Sequence, residues 1–340
     1  MPVRWKALSG SAMLLVVYLT GSKSAASPKF SEWSSPVLVP NVNSAFVDVG
    51  PGISRDGRSL YFGSNRPGGL GNTDLWVSQR ASVNDAWGPP INLGPTINTA
   101  AAELVPAFSA DGHWMFFNSD RPGGFGSFDV WASYRKNIHD DFGWTTPINL
   151  GSNINTAGLD AGASHFLADD QEDDDRGSDE VDEEKGGLPL LFFGSDRPGG
   201  LGGVDLYVSA KQSNGAFGPP TLLSELSSPF NDQRPSIRRD GLEIFFYSSR
   251  PGGVGANDLW VSTRETTSQV WSTPVNLGPV VNGTANDFHP SISADGHTLY
   301  FASDRPGGPG LMDLYMTTRT TPPASLTSRP FSGERRDRRQ

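Results

Sequence analysis

The 340-residue chain is predicted to fold as an all-β, five-bladed β-propeller. Three observations carry this. The phrase Ser-x-Arg-Pro-Gly-Gly-x-Gly occurs five times, at Ser64–Gly71, Ser119–Gly126, Ser195–Gly202, Ser248–Gly255 and Ser303–Gly310. An Asp stands eight residues after each Arg and opens an apolar triplet such as Leu75-Trp76-Val77 or Leu259-Trp260-Val261. After residue 27 no stretch carries a helical apolar period, whereas short aromatic and β-branched runs alternate with turn residues throughout.

Each repeat resolves into four strands. A short strand begins at an acid, Asp48, Glu103, Asp160, Asp232 or Asp287, and in four copies ends at an Asp-Gly turn: Asp56-Gly57, Asp111-Gly112, Asp240-Gly241 and Asp295-Gly296. Asp-Gly between apolar runs marks a hairpin, because Gly accepts positive φ and Asp bonds its own following backbone. An aromatic run such as Leu60-Tyr61-Phe62 follows, then the Gly-rich loop, then the Asp-led triplet. The fourth strand follows an aromatic and a Pro: Trp33/Pro36, Trp87/Pro90, Trp144/Pro147, Phe217/Pro220 and Trp271/Pro274. Four-stranded units at this period are propeller blades.

The Trp33 strand precedes every other strand, and the last repeat has none of its own. The N-terminal strand must therefore complete the last blade and close the ring. Closure removes the open sheet edge. This count uses every strand and gives five blades, with six the alternative.

The unit resembles the WD40-like repeat of TolB-type propellers over residues 31–319. The Pro-Gly-Gly phrase also resembles propeller modules of OmpA-associated bacterial envelope proteins. That resemblance implies a periplasmic or secreted binding module. The chain departs from both in lacking their accompanying domains.

Composition bounds the remainder. With no Cys, disulfides, thiolate metal sites and Cys nucleophiles are excluded. Residues 1–27, with Arg4 and Lys6 before Ala12–Leu19 and small residues after, read as a signal peptide. The propeller is placed at 28–320, and no membrane span is expected after signal cleavage. Residues 168–187 hold eleven acids and two bases, so they carry nearly all of the net charge of −10. They are expected to form a disordered acidic insert in blade 3, where calcium is the one cofactor considered. Residues 321–340 form a basic tail, and nothing elsewhere resembles a nucleic-acid-binding patch.

Candidate site residues follow from the repeat. Each Arg and its Asp eight residues on are read as a structural pair across one loop: Arg66 with Asp74, Arg121 with Asp129, Arg197 with Asp205, Arg250 with Asp258 and Arg305 with Asp313. The inner-strand acids Asp48, Glu103, Asp160, Asp232 and Asp287 are structural partners or a polar ring at the channel mouth. Arg234 and His289 break the repeat where Gly50 and Val105 stand in other blades. The apolar loop tips Leu70, Phe125, Leu201, Val254 and Pro309 are expected to tuck beneath their loops. No catalytic or metal-binding constellation is evident. The expectation is a monomeric, non-catalytic scaffold for a protein partner or an envelope glycan. The alternative is a glycan hydrolase or lyase using acids at the channel mouth. Unlike residues converging on one pocket would indicate the enzyme.

Overall fold

The computed structural model describes residues 30–167 and 188–322. The expected signal peptide at 1–27, the expected acidic insert at 168–187 and the chain from 323 onward lie outside the described residues. Twenty strands form five antiparallel four-stranded sheets. In blade 1 the inner strand Asp48–Ile53 pairs with Ser59–Ser64, that with Asp74–Gln79, and that with the short outer strand Ile91–Asn92. Blades 2 to 4 repeat the order, with inner strands Glu103–Phe108, Asp160–Phe166 and Asp232–Ile237. Blade 5 begins at Asp287–Ile292, and its outer strand is Val37–Leu38, paired with Tyr315 and Met316. The ring has five blades and is closed by the N-terminal strand.

The core consists of five wedges between neighbouring blades. One wedge packs Tyr61, Leu75 and Val77 of blade 1 against Ile97, Met115, Phe117 and Trp131 of blade 2. The wedge at the closure joins Val39 and Val42 to Phe62 and Trp76 on one side and Tyr300 and Leu314 on the other. A cation–aromatic stack recurs on the outer strands. Arg80 lies 4.1 Å from Trp87, Arg135 4.5 Å from Trp144, and Arg264 4.1 Å from Trp271. At the closure the same stack forms between the chain ends, with Arg319 4.4 Å from Trp33. This contact carries a few kcal/mol at most, since exposed stacks contribute about 0.5–1 kcal/mol and desolvated ones about 2.

The Gly-rich phrase follows from close approach. A Cβ on Gly69 would lie 2.4 Å from Asp74 Oδ2, and one on Gly71 would lie 2.1 Å from the Ala101 carbonyl of the next blade's loop. The x residue between these glycines has no such contact. Leu70, Phe125, Leu201 and Val254 are 51%, 51%, 50% and 38% exposed, and Pro309 is exposed too. The expectation that these tips tuck beneath their loops is corrected: the loop turns its carbonyl-facing glycines inward, which leaves the intervening side chain outside.

Every inner strand has a bulge two residues after its acid, where the register with the second strand shifts. The residue there has positive φ in all five blades: Gly50, Val105, Gly162, Arg234 and His289. In four blades Pro follows, tolerated because its missing N–H falls where the ladder is already broken. Bulges re-aim side chains and cluster beside functional sites.

Acids also tie neighbouring blades, Glu243 meeting Arg319 between blades 4 and 5 and Asp141 between blades 1 and 2. Asp141, on the loop before the outer strand of blade 2, is buried between blades 1 and 2. It accepts hydrogen bonds from Ser59 Oγ at 2.5 Å, Tyr61 Oη at 2.6 Å and Gln79 Nε2 at 2.7 Å, and pairs with Arg135 Nη1 at 2.7 Å. Truncating it strands a buried guanidinium. Asp141→Ala should therefore cost about 3–5 kcal/mol, read as a lowered urea midpoint with an unchanged native circular-dichroism spectrum. A loss below about 1 kcal/mol would show that Arg135 is not held by this carboxylate.

Candidate functional site at the channel mouth

The inner-strand acids are placed first, because they set the register of everything around the channel. All five are 0% exposed. Asp48 Oδ1 accepts from Arg66 Nη2 at 2.5 Å, and its Oδ2 accepts from Ser44 N at 2.6 Å and Ser44 Oγ at 2.9 Å. Arg66 also donates to Ser64 Oγ and to the Val42 carbonyl, and lies against the Phe62 and Trp76 rings. The same clasp joins Arg121 to Glu103 at 3.0 Å, Arg197 to Asp160 at 2.9 Å, Arg250 to Asp232 at 2.5 Å, and Arg305 to Asp287.

The expected pairing of each Arg with the Asp eight residues on is corrected. Asp74 accepts from the loop N–H groups of Leu70 and Gly71 and from Asn92 Nδ2 of the outer strand. Asp129 does the same with Phe125, Gly126 and Asn149. Asp205, Asp258 and Asp313 likewise receive N–H groups of their own loops. The guanidinium folds back to the inner strand, where a buried carboxylate and a free carbonyl await it. The Asp-led strand keeps its carboxylate for the loop that precedes it.

The Asn-containing loops also sort by geometry. Asn98 bonds both backbone groups of Leu75, and Asn155, Asn282 and Asn43 do so for Val130, Leu259 and Leu314. In the fourth loop Ser227 takes this place, donated to by the Leu206 N–H. Asn231 instead accepts from Val204 N.

The residues that break the repeat converge. Arg234 and His289 line a cavity of about 200 Å³ at the mouth on the Gly-rich-loop side, together with Val105, Gln233, Tyr247 and Asn118. Among the described residues no Asp or Glu lines it. Three of its residues, Val105, Arg234 and His289, hold φ of 64°, 54° and 53° without being Gly. Each such residue costs about 1–2 kcal/mol, and strain of this kind gathers at functional positions. Gly162 and Gly50 make the room: a Cβ on them would meet Arg234 Cα at 2.8 Å and Val105 Cα at 2.9 Å.

Arg234 crosses the channel. Its Nη2 donates to the Pro51 carbonyl of blade 1 at 2.9 Å and the Pro106 carbonyl of blade 2 at 3.1 Å. Its Nη1 is buried and has no hydrogen-bond partner among the described residues, and the same is true of His289 Nδ1. Tyr247 Oη donates to Gln233 Oε1 at 2.7 Å, and its ring stands edge-on to His289 at 5.4 Å. Burial lowers the Arg234 pKa to about 9, so the guanidinium stays charged at neutral pH. Burial, then the Arg234 charge, holds the His289 imidazole neutral down to about 3. Burial raises the Tyr247 phenol and keeps it protonated. At neutral pH the pocket therefore holds a neutral imidazole, a protonated phenol and a charged guanidinium, the last a fit holder for an anion.

Tyr247 and Gln233 were not singled out from the sequence, although a signal was present. Tyr247 stands where the other blades have Gly63, Asn118, Gly194 and Ala302, and Gln233 where they have Val49, Leu104, Ala161 and Phe288. The opposite end of the channel holds a cavity of about 110 Å³, partly lined by Ser164, Ser236 and Ser291. These serines accept from inner-strand N–H groups of adjoining blades, so they tie the ring together. Among the described residues no group of three or more metal-ligating side chains occurs, and no helix is long and apolar enough to cross a membrane.

No protein-family profile matches the chain, and no curated protein matches it. Solved structures do. The catalytic domain of a Coprinopsis cinerea GH62 α-L-arabinofuranosidase superposes with a TM-score of 0.53 at 16% identity, over 86% of this chain and 98% of that one. A Xanthomonas citri GH43_1 enzyme complexed with xylotriose gives 0.54 at 14%, over 83% and 89%. An α-L-arabinofuranosidase from Lactobacillus brevis gives 0.52 at 13%, over 83% and 94%. The class these likenesses define is the five-bladed β-propeller, a fold shared with these glycoside hydrolases. The expectation of a non-catalytic scaffold is overturned by these neighbours.

Two predictions test this geometry. A double-mutant cycle should give a coupling energy of about 0.5–3 kcal/mol for Arg66 with Asp48, and a value near zero for Arg66 with Asp74. A larger value for the Asp74 pair would restore the pairing read from the sequence. The second concerns pH. Folded His289 takes a proton only near pH 3, whereas the unfolded chain's His does so near 6.5, so between these values the unfolded chain binds more protons. His165, buried and lowered to about 4, acts in the same direction. Their contribution is full above about pH 6.5 and is lost as pH falls toward 3. The melting temperature should fall through that window, and less steeply in His289→Gln. Equal slopes in both proteins would remove His289 from the account.

Proposed function

We propose that this protein is an exported glycan-cleaving enzyme whose active site is the pocket of Arg234, Gln233, Tyr247 and His289 at the channel mouth. The observation that carries the reading is their convergence. Residues that differ from blade to blade gather in one place, Arg234 and His289 at strained backbone positions, within a ring whose other features repeat. Support comes from the propellers of the same fold that are arabinofuranosidases or were captured with xylotriose.

Of the two forms of cleavage, the pocket favours elimination. Hydrolysis of a glycoside ordinarily employs two carboxyl groups flanking the bond. Here the five mouth acids are each held by an arginine, and the pocket is lined by none. A lyase requires a base to take a carbon-bound proton and an acid to protonate the leaving oxygen. His289 supplies the first role and Tyr247 the second. A cavity of about 200 Å³ admits a sugar unit, not a long segment of chain, and is smaller than the roughly 300–1,000 Å³ of pockets for drug-sized ligands. We place the mature monomer in the periplasm or outside the cell.

The test is an oligosaccharide panel, neutral and acidic, with products separated by chromatography and scanned for the ultraviolet absorbance of a conjugated double bond. Cleavage should fall by about 10²–10⁴-fold in His289→Gln and in Tyr247→Phe. Full activity in both variants, or no cleavage of any panel member, would sink the reading.

A further inference from the structure

We infer that the pocket recognises the carboxylate of an acidic sugar, a uronic acid, and that Arg234 is the residue that binds it. This rests on the cleavage reading and names its substrate class. The five clasp arginines each face a buried acid of their own blade. Arg234 is 3% exposed and has no carboxylate among its described contacts. A buried guanidinium without a counter-charge is costly, because each desolvated ion forfeits several kcal/mol of hydration.

The two carbonyls on Nη2 orient the fork without neutralising it. Nη1 is left over, buried, on a residue that lines the cavity. Carboxylates are bound by such forks with charge-assisted hydrogen bonds. The surroundings fit a single negative charge. Gln233 gives its Oε1 to Tyr247, so its Nε2 remains as a second donor for the ligand. The rest of the lining is apolar or neutral, including Leu104, Phe128 and Leu159. No acid of the pocket opposes an anion, and no second cation calls for a doubly charged one.

The same placement completes the chemistry. A carboxylate held on Arg234 acidifies the hydrogen on the adjacent ring carbon. His289 Nδ1 takes that proton, and the C–H electron pair forms a carbon–carbon double bond within the ring. The glycosidic C–O bond on the next carbon breaks, and its oxygen takes the Tyr247 proton. His289 then loses its proton to solvent and Tyr247 regains one. The balance is one glycan converted to an unsaturated uronate and a shortened chain, with no water, oxidant or metal consumed.

Titration calorimetry with the full chain tests this using oligogalacturonate and oligoglucuronate, their methyl esters, and xylotriose. The free uronates should bind about 10–100-fold more tightly than their esters, the range for a hydrogen bond to a charged group. Arg234→Gln should abolish that difference, with Arg234→Lys restoring part of it. The ester comparison needs no variant and stands even if Arg234→Gln unfolds. Equal affinity for acid, ester and xylotriose would overturn the inference. Cleavage of neutral glycans alongside it would leave the enzyme reading intact. Ester-sensitive, Arg234-dependent binding without any cleavage would uphold the carboxylate site and overturn the enzyme reading instead.

Discussion

The structure depends on one buried ion pair, made five times. An acid at the head of each inner strand is removed from water completely, and an arginine from the next loop of the same blade reaches in to meet it. A buried pair of this kind contributes little net stability over an apolar substitute, but losing one partner costs about 3–5 kcal/mol. Its use here is positional. The guanidinium also holds a carbonyl of the adjacent loop, such as Val42 or Ile97, so it fixes where the channel-lining strand begins relative to its neighbours. Five fixed strand heads give five bulges at one level of the channel. Only then do three unlike side chains at those bulges meet in one cavity.

Much of the fold was legible because tight turns and close approaches leave few residue choices. The Gly-rich phrase, the Asp-Gly turns and the displaced first strand dictated five closed blades. The partners of the arginines were not legible. Arg66 and Asp74 are eight residues apart in one loop, and Asp48 is eighteen residues upstream on another strand. Chain proximity favours the first pairing, but burial decides for the second, since the inner-strand acid has no alternative partner of opposite charge. Loop-tip exposure was also hidden, because an apolar residue between two glycines reads the same whether it faces in or out.

For the site, departure from the repeat was the informative signal, and it pointed to Arg234 and His289. The departures extend beyond that one row of positions: Tyr247 departs from the repeat just as clearly, on the strand beside them, and Gln233 lies next to Arg234 in sequence. What no pattern could show is that Arg234 spans the channel to the Pro51 and Pro106 carbonyls. That depends on the ring's diameter, which is set by how five aromatic wedges pack, as Phe62, Phe117, Phe193, Phe246 and Phe301 do in their blades.

The closure by Val37–Leu38 has a temporal consequence. Its partners, Tyr315 and Met316, lie almost the whole chain away. This strand therefore cannot find its sheet until the last blade exists. Folding rates fall as contacts span longer stretches of sequence, and the blade 5 edge stays unpaired until this step. The clasps within the blades span far fewer residues, eighteen between Asp48 and Arg66. Joining the two ends completes the ring, and with it the mouth that residues of blades 2 to 5 line together.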